Sequence, residues 1–502
     1  MQMEVQTLSQ LPKRAAEEFK DKPFLLYPSL FTFKQLDEES DRVASGLAEL
    51  GVGKGDRVAL YLWNRPEFVH ALFGILKVGG VAVPIDPAFR EREVRALLSD
   101  CGAKALFLEE ATWPVVQNVK EELPGLQHLI CVSGEGGTIK LEDLRRPSPP
   151  PPVSLSPDDL AVIMYAAREK GYLGAMLTHH NLLSVVRRLA SPELSFSKPE
   201  DRVSLIHLMY SIFSLDELLL SLYQGNSVVL EKSFDIEVFL SHVEQLWVSK
   251  VLLPMSSIML LTDLPNVLVK YDLSSLRFLC NVEEPYNREV AEEFRSLTGV
   301  PVINSYGLAE ASGFVNLPKV GEAPPGSLGP PLGVEEKVVD EQGREVEPGK
   351  AGELLVRGPQ VMKGYWNRPE ETARVLRDGW LHTGDLATVD SAGNLELVGR
   401  KKRIIKFRGF GISPEEVEGV LKEHEAVQDA VVAGKPGLAG GEIPVAFVAL
   451  KQGMKATAGE LMRWVEERLA PFKRIREVEF VPLIPRERLQ EFIQRMISRR
   501  RR

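Results

Sequence analysis

Short apolar runs alternate with amphipathic stretches from about Phe24 to Asn304. Short apolar runs predict buried strands, whereas apolar positions spaced three and four residues apart predict helices. The predicted strands are Arg57–Leu62, Ala82–Ile85, Ala105–Leu108, Ala161–Tyr165, Val203–Ile206, Val228–Leu230, Val251–Leu253 and Leu276–Cys280, with helices at Pro66–Leu76 and Glu91–Asp100. Strands that are separated by helices indicate parallel sheets with helices on both faces.

The pattern changes after about Gly326, where short strands are separated by glycine and aspartate turns. Strands at Glu353–Arg357, Leu386–Asp390 and Asn394–Val398 predict a small β-rich subdomain. Past Lys402, about 100 residues with three further strands and two helices are enough for a separate small α+β domain. These later elements are predicted at Val427–Val432, Val445–Leu450, Ala458–Leu469 and Val478–Val481, followed by a last helix before Arg499.

We therefore predict an α/β fold with a large N-terminal domain over residues 1–401 and a small C-terminal domain over residues 402–502. The large domain is predicted to contain sub-parts at about 1–150, 151–325 and 326–401. The proline-rich run at 147–152 predicts a stiff, extended linker between the first two sub-parts.

Composition and charge exclude several classes of protein. Of 502 residues, 44% are hydrophobic and 26% are charged, a balance typical of soluble globular proteins. The net charge of -9 gives no overall basic field, so no nucleic-acid partner is expected. Lys77 interrupts the best candidate for a membrane span, and the polar start of the chain is not typical of a signal peptide. Cys101, Cys131 and Cys280 have neither metal nor disulfide spacing, so we expect a cytoplasmic protein without a tightly bound metal.

Several motifs follow one another in order through almost the whole chain. They are Leu76–Pro87, Leu177–Leu182, Tyr306–Glu310, Gly364–Trp366, Gly379–Asp385 and Gly399–Lys402, followed by Gly409 and Pro414–Glu418. Their order and separations resemble those of the adenylate-forming superfamily, which includes acyl- and aryl-CoA synthetases, luciferases and peptide-synthetase adenylation domains.

The resemblance implies a carboxylate–CoA ligase that works in two steps. A carboxylate first attacks the α-phosphate of Mg-ATP and pyrophosphate leaves; a thiol, usually that of CoA, then attacks the acyl-adenylate. The implied ligands are ATP or AMP, Mg²⁺ if the protein is active, a small-molecule carboxylate, and CoA as the acceptor. The small domain is implied to be a mobile lid that turns between the two steps.

The motif Tyr306–Glu310 is implied to bind the nucleotide. Tyr306 would stack on adenine, Gly307 and Ala309 would border the nucleotide, and Glu310 would hold Mg²⁺. Ala309 stands where relatives usually have a threonine that contacts the α-phosphate. The alternative is that Tyr306 is a core aromatic residue and Glu310 a surface acid.

The motifs around the domain boundary are implied to hold the ribose and the thiol. Asp385 would accept both ribose hydroxyls, since one carboxylate accepts two hydrogen bonds at once, and Arg400 would also reach the ribose. Lys402 would be the hinge of the small domain, and Gly409 would let the backbone approach the CoA channel. The alternatives are a turn aspartate, a solvated basic run and an ordinary turn glycine.

The phosphate loop departs from the family pattern, which is rich in glycine, serine and threonine and contains a lysine. This chain instead has Ala166, Ala167, Arg168, Glu169, Lys170 and Gly171. Hydroxyl donors for the β- and γ-phosphates are missing, and Glu169 places an anion where polyphosphate would lie. Arg168 and Lys170 could compensate for that charge. A run of Ala-Ala-Arg-Glu-Lys predicts a helical turn rather than a backbone nest for phosphate.

The last helix departs from the family pattern as well. Relatives have a lysine there that bridges the substrate carboxylate and the α-phosphate during adenylation, and alignment places Glu491 at that position. No lysine follows Lys473, and Arg488 is the only plausible substitute. A charge reversal at a cation that meets two anions removes transition-state stabilisation.

A third departure concerns the predicted acyl pocket. Relatives usually have a glycine-rich segment where this chain has Asn281–Pro285, so Val282 is predicted to narrow the pocket and Glu283 to add charge. Tyr210 lies near the position of a family histidine. We predict that Tyr210, Val282 and Ser305 set the length and polarity of the acyl group.

These departures affect mostly the groups that handle pyrophosphate, whereas the ribose, hinge and thiol-channel positions persist. We therefore predict an acyl-CoA synthetase-like protein in which ATP-dependent adenylation is severely weakened or lost. One alternative is an inactive pseudo-ligase that binds acyl-CoA, an adenylate or a protein partner. Another is an enzyme that retains only the thioester-forming half-reaction, and a third is a complete ligase with unusual loops.

Overall fold

The computed structural model describes residues 5–168, 171–207, 209–321, 324–391, 393–401, 403–437, 441–485 and 488–499. Its α-helices are α1 (Leu11–Phe19), α2 (Phe33–Glu49), α3 (Pro66–Lys77), α4 (Glu91–Cys101), α5 (Trp113–Val119), α6 (Leu141–Leu144), α7 (His179–Leu189), α8 (Ile212–Gln224), α9 (Ile236–Leu246), α10 (Met255–Thr262), α11 (Pro265–Leu268), α12 (Arg288–Thr298), α13 (Pro369–Val375), α14 (Pro414–Lys422), α15 (Ala458–Glu466) and α16 (Leu489–Arg499). Short 3-10 turns lie at Leu8–Gln10, Lys120–Glu122, Glu135–Gly137, Pro192–Leu194, Ala309–Ala311 and Pro471–Lys473. Within these described ranges, no helix is both long and apolar enough to cross a bilayer.

The strands of the large domain fall into two main sheets, one hairpin and one β-rich subdomain. They are β1 (Pro23–Tyr27), β2 (Phe31–Thr32), β3 (Arg57–Tyr61), β4 (Val81–Pro84), β5 (Ala105–Leu108), β6 (His128–Cys131), β7 (Ile139–Lys140), β8 (Leu160–Arg168), β9 (Gly171–Thr178), β10 (Arg202–Leu205), β11 (Ser227–Leu230), β12 (Lys250–Leu253), β13 (Phe278–Asn281), β14 (Val302–Asn304), β15 (Tyr306–Leu308), β16 (Gly313–Asn316), β17 (Glu335–Val339), β18 (Gly352–Arg357), β19 (Leu376–Arg377), β20 (Trp380–Val389) and β21 (Leu395–Arg400).

Two seven-stranded, mostly parallel sheets form the centre of the large domain, as the alternating pattern predicts. Their strand orders are β7-β6-β5-β3-β4-β8-β9 and β14-β13-β12-β10-β11-β1-β2. Each sheet ends in one antiparallel pair, β8 with β9 and β1 with β2. Residues of α2, α3, α7 and α8 belong to one continuous hydrophobic core with both sheets, which confirms the predicted α/β class.

The two sheets exchange strands across the predicted boundary near residue 150. The early strands β1 and β2 join the second sheet, while β8 and β9 complete the first sheet. Hydrophobic periodicity identifies a strand but does not identify its neighbour in the sheet. The first two predicted sub-parts are therefore interlocked by sheet pairing.

The β-rich subdomain is an antiparallel sheet of β17 to β21. Within it, β20 pairs with β21 so that Asp385 lies directly opposite Arg400. Directly opposed residues of an antiparallel pair have neighbouring side chains. Strand pairing alone therefore brings together two residues whose motifs are separated in the sequence.

The small domain has a three-stranded sheet with a core on each face. Its strands are β22 (Ile405–Phe407), β23 (Phe410–Ile412), β24 (Val427–Pro436), β25 (Glu442–Leu450) and β26 (Glu477–Phe480), of which β24, β25 and β26 form the sheet. Ala430, Val432 and other alternate residues pack against α14 and α15, whereas Val431 and Ala433 pack toward α16. This two-residue period explains why both faces of the sheet carry helices.

A buried lysine joins the small domain to the large domain. The Lys473 ammonium lies 2.7 Å from the carboxylate of Glu93 on α4 and 2.8 Å from that of Glu416 on α14. The side chains of Lys473 and Glu93 are both fully buried. Removing one partner from a buried ion pair leaves an uncompensated charge, which is far more costly than the loss of an exposed pair. The position of the small domain therefore depends on this lysine.

We expect Lys473→Met to weaken the folding and docking of the small domain. The loss of the cation leaves Glu93 and Glu416 buried without it, at a cost of about 3–5 kcal/mol. Hydrogen exchange of amides in β24 to β26 should accelerate by more than about 100-fold. Lys455→Met, at an exposed position of the same domain, should leave exchange unchanged. Equal exchange in both variants would contradict the role of this network.

Candidate active site

A cavity of about 1160 Å³ lies between the large domain and the small domain. The large domain contributes Tyr210, Ser305 and Asp385 to its wall, and the small domain contributes Gly409 and Phe472. Clefts at domain interfaces are common positions for ligand sites. The structure therefore brings residues from several separate sequence motifs to one cavity.

The nucleotide-binding candidates form one hydrogen-bonded group. The Tyr306 hydroxyl donates to Asp385 over 2.6 Å, and the Arg400 guanidinium donates to the other carboxylate oxygen of Asp385 over 3.0 Å. Burial, followed by the Asp385 charge, raises the pKa of Tyr306 well above its ordinary value, so its hydroxyl keeps its proton. Gly307 and Ala309 line the same wall. A carboxylate that accepts two donors at once is the chemistry expected for a vicinal diol.

The predicted helical turn in the phosphate segment is wrong. Ala166, Ala167 and Arg168 belong to strand β8, which pairs with β9 and places Arg168 opposite Gly171. Glu169 and Lys170, between these strands, lie outside the described residues. The good helix propensity of an Ala-Ala-Arg-Glu-Lys run is overridden by eight residue pairs between the two strands. Both alanines face the cavity, so this wall has no hydroxyl at those positions.

Arg168 makes an ion pair with the predicted Mg²⁺ ligand, Glu310. Its guanidinium contacts one carboxylate oxygen of Glu310, and the Tyr365 hydroxyl donates to the same oxygen. The Glu310 side chain is only 2% exposed, and its second oxygen has no hydrogen-bond partner among the described residues. A buried carboxylate that already has a cation partner does not fit the role of an open Mg²⁺ ligand. Among the described residues, no cluster of three or more histidine, cysteine, aspartate or glutamate side chains has the geometry of a metal site.

Gly409 approaches two glutamates of the large domain. Its N–H donates to Glu284 over 2.8 Å, and a methyl group in place of its hydrogen would lie 3.3 Å from the Glu283 carboxylate. Its φ of +82° also favours glycine. The structure thus places Gly409 at the domain junction, where the predicted CoA channel would pass between carboxylates.

Glu283 is held by two neighbours in the cavity wall. The Ser211 hydroxyl donates to it over 2.6 Å, and the His207 ring lies 3.2 Å away. Burial is the largest single effect and would lower the pKa of His207, but the charge and hydrogen bond of Glu283, together with the charges of Asp86 and Glu284, outweigh it and raise the pKa. Burial is again the largest single effect and would raise the pKa of Glu283, but His207, Lys406 and Ser211 together outweigh it and lower the pKa. Each partner thus favours the charged form of the other.

Val282 does not narrow the cavity as predicted. Its side chain is fully buried in the core of the large domain, whereas the next residue, Glu283, lines the cavity. The chain bends at Glu283, which has a φ of +65°, so the side chains of these two neighbours point to different sides. The sequence thus identified the segment but not the residue. Tyr210 and Ser305, the other two acyl-pocket candidates, do line the cavity.

Sequence reasoning missed a cation in the cavity wall, Lys406. On β22, Ile405 is buried in the small-domain core, and the next residue, Lys406, lines the cavity. Burial, followed by the nearby charge of Arg400, lowers the pKa of Lys406. The alternation of an apolar and a charged residue in a short strand was the available signal.

Of the two remaining candidates, only Glu491 lies among the described residues, and it does not line the cavity. Glu491 is exposed on α16, and its neighbours Gln490 and Ile493, rather than Glu491, line the cavity. Lys402, the predicted hinge, lies outside the described residues.

Both domains match known protein families. Residues 12–366 match the family described as AMP-binding enzyme, and residues 416–490 match the AMP-binding enzyme C-terminal domain. The chain belongs to the AMP-binding enzyme family. This confirms the predicted superfamily and supports ATP or AMP and CoA as the ligands of the family.

Several relatives of the chain are named as CoA ligases. The long-chain-fatty-acid–CoA ligases of Salmonella typhimurium and Bacillus subtilis are each 32% identical, over 98% of this chain and 94% of the relative. Among solved structures, an anthranilate CoA ligase, AuaEII, in complex with anthranoyl-AMP has a TM-score of 0.77 at 26% identity, over 98% of both chains. A long-chain-fatty-acid–CoA ligase from Archaeoglobus fulgidus has a TM-score of 0.80 at 25% identity, over 96% of this chain and 98% of that one. The chain is therefore acyl-CoA synthetase-like.

The cavity contains one carboxyl group whose titration can be tested. Burial raises the pKa of Asp86 to about 7. The folded state therefore holds a proton on Asp86 more tightly than the unfolded chain does between the ordinary pKa and about pH 7. This tighter binding of the proton stabilises the folded protein fully below the ordinary pKa of an aspartate. The stabilisation is lost as the pH rises from that pKa to about 7.

We expect Asp86→Asn to become more stable relative to the unchanged protein as the pH rises from 4.5 to 7.5. The relative gain is at most about 4 kcal/mol, the equivalent of the raised pKa. Urea unfolding at several pH values measures it. A difference between the two proteins that does not vary with pH would contradict the assignment.

Proposed function

We propose that this member of the AMP-binding enzyme family binds a nucleotide and a CoA-type thiol but has severely weakened or no adenylation of carboxylic acids by ATP. The observation that carries the proposal is the ion pair between the partly exposed Arg168 and the buried carboxylate of Glu310. The identity of the acid is left open, because the relatives include ligases named for long-chain fatty acids and for 4-coumarate.

The ion pair opposes Mg-ATP in two ways. If Arg168 turned toward the phosphates, it would leave the Glu310 carboxylate buried without its cation, which is strongly unfavourable. If Glu310 instead bound Mg²⁺, the displaced guanidinium would stand beside a divalent cation of the same sign. Either change costs free energy. That cost reduces the binding energy with which an active ligase stabilises the transition state.

The small domain also leaves little room over the β8–β9 hairpin, which contains the predicted phosphate segment. A methyl group on Gly411 of β23 would lie 3.2 Å from the Ala167 side chain of β8. The small domain thus packs directly on the wall that would cradle a triphosphate. Rotation of the small domain to place Glu491 in the cavity would add a negative charge near the substrate carboxylate and phosphates.

The residues that could bind a nucleotide with a single phosphate are better preserved than those that would bind a triphosphate. Asp385, Arg400 and Tyr306 can hold a ribose, and Lys406 supplies a cation on the small-domain wall. We propose these residues as the site of AMP or an adenylate. Asp385 supplies the acceptors for the ribose hydroxyls and Arg400 keeps its carboxylate in place.

The thioester half-reaction is a second candidate, because Gly409 already lies at the cavity in this arrangement. In that reaction the thiol sulfur attacks the acyl carbon of an adenylate, the bond to AMP breaks, and the thiol proton passes to solvent. The reverse reaction joins AMP to the acyl group of an acyl-CoA and releases free CoA.

Pyrophosphate exchange separates these proposals from an ordinary ligase. With a panel of fatty and aromatic acids, we expect exchange at least about 1000-fold below that of an active ligase, the equivalent of about 4 kcal/mol in the barrier. Calorimetry should show binding of AMP and of CoA. AMP-dependent release of CoA from acyl-CoA would support the half-reaction, and its absence would favour a binding protein.

Two variants provide the controls for this experiment. Asp385→Ala should weaken AMP binding by at least about tenfold, since two charge-assisted contacts are lost. Asp263→Ala, at an exposed position after α10, should not change it. Exchange at ordinary ligase rates would overturn the proposal.

A further inference from the structure

The acyl end of the cavity is closed by an aromatic side chain at the start of α8. Of the described residues of that helix, only Ile212 and Phe213 line the cavity. Phe213 is 3% exposed, so its ring edge forms the wall while its body is buried. The opposite side of this wall is formed by Gly307 and Leu308 of β15.

Gly307 and Phe213 are in close contact. A methyl group on Gly307 would lie 3.0 Å from the Phe213 ring and 2.1 Å from the carbonyl oxygen of Gly313. These distances are too short even for one added carbon atom. A hydrocarbon chain therefore has no passage between β15 and α8.

Two further aromatic rings, those of Phe314 and Phe196, pack behind Phe213. The ring of Phe314 meets that of Phe213 edge to face, with centroids 4.9 Å apart, and Phe196 meets Phe314 at 5.7 Å. Both Phe314 and Phe196 are fully buried. Interiors packed in this way do not open without the loss of many contacts.

Charged groups lie behind these rings. The Lys250 ammonium is 4.4 Å from the centre of the Phe196 ring and 2.8 Å from the Glu217 carboxylate, with both charged side chains fully buried. An alkyl tail that entered this region would have to displace a compensated ion pair, which is costly. The region thus differs from the apolar tunnel that a long acyl chain requires.

A second path, which leads away from Tyr210, is also unsuitable for a hydrocarbon chain. It leads past the carboxyl groups of Asp86 and Glu283, which line the cavity near the domain junction. The Glu283 side chain is still 15% exposed, and an alkyl chain placed against it would remove its remaining contact with water without offering it a hydrogen bond. That path suits a polar thiol arm better than a fatty tail.

We infer that the acyl position accepts only a short acyl group, of about the size of acetyl to butyryl, and that Phe213 determines this limit. The inference rests on the proposed function, because it assumes that an adenylate occupies the Tyr306–Asp385 end of the cavity. It adds a substrate class and a specificity-determining residue to that proposal.

The test uses hydrolysis-resistant acyl-sulfamoyl adenosines with acetyl, butyryl, octanoyl and palmitoyl groups, measured by calorimetry on the full chain beside AMP. We expect the acetyl and butyryl compounds to bind at least as well as AMP, and the octanoyl and palmitoyl compounds at least tenfold more weakly. An open apolar tunnel would instead tighten binding by about fourfold for each added methylene.

The variant Phe213→Ala should improve octanoyl binding at least tenfold and change acetyl binding by less than about threefold. Phe213→Leu, which retains more of the core packing, should give a smaller gain in the same direction. The matched control is Phe294→Ala, because Phe294 is buried in α12 within a different hydrophobic cluster. It should leave the chain-length preference unchanged.

The outcomes separate this inference from the function on which it rests. If AMP binds and affinity rises steadily with chain length, or if folded Phe213→Ala and Phe213→Leu keep the original preference, only the inference is overturned. If neither AMP nor any analogue binds, the nucleotide site is wrong and the inference falls with it. Active pyrophosphate exchange combined with a short-chain preference would overturn the proposed function alone.

Discussion

The ion pair between Arg168 and Glu310 balances the charge at the Arg168 wall of the cavity, and the proposed function depends on it. Arg168 reaches Glu310 because β8 continues as a strand up to Arg168, and Glu310 is buried in the short turn after β15. A cation and an anion that neutralise each other in the interior need no ligand to compensate them. We propose that the end of the cavity that would receive a triphosphate is thus internally balanced, whereas at the other end Tyr306 and Arg400 hold Asp385 for a ribose.

The domain arrangement agrees with this division of the cavity. Lys473 holds the small domain against α4, and in that position Gly409 and Lys406 face the cavity while Glu491 is exposed. The same arrangement packs Gly411 against Ala167. These contacts support our proposal that the cavity takes a single phosphate and a thiol rather than a triphosphate.

Much of the fold could be predicted from the sequence because buried parallel strands leave a strong local signal. The observed β5 has the predicted bounds Ala105–Leu108, and α3 extends the predicted helix by one residue, to Lys77. Sheet membership was not predictable, since the pairing of β1 with β11 depends on contacts between residues about 200 positions apart. The β8–β9 hairpin shows the same limit, because strand pairing overrides the helix propensity of Ala166, Ala167 and Arg168.

The sequence motifs identified the residues of the site more reliably than the residues that contact them. Tyr306, Asp385, Arg400 and Gly409 do come together at one cavity, as the resemblance implied. Their actual partners were not predictable, because Tyr365 and Arg168 reach Glu310 from distant parts of the chain. The side of the backbone on which Val282 lies is likewise a tertiary property that a motif does not encode.

The most direct test of the central claim is the effect of Mg²⁺ on the affinity for ATP. The account predicts that Mg²⁺ changes the dissociation constant of ATP by less than about twofold in the unchanged protein, because Glu310 is already paired. In Arg168→Gln, which frees Glu310, Mg²⁺ should tighten ATP binding by about tenfold or more, whereas Arg288→Gln, at another position in the cavity wall, should behave like the unchanged protein. A tenfold tightening by Mg²⁺ in the unchanged protein would contradict the account.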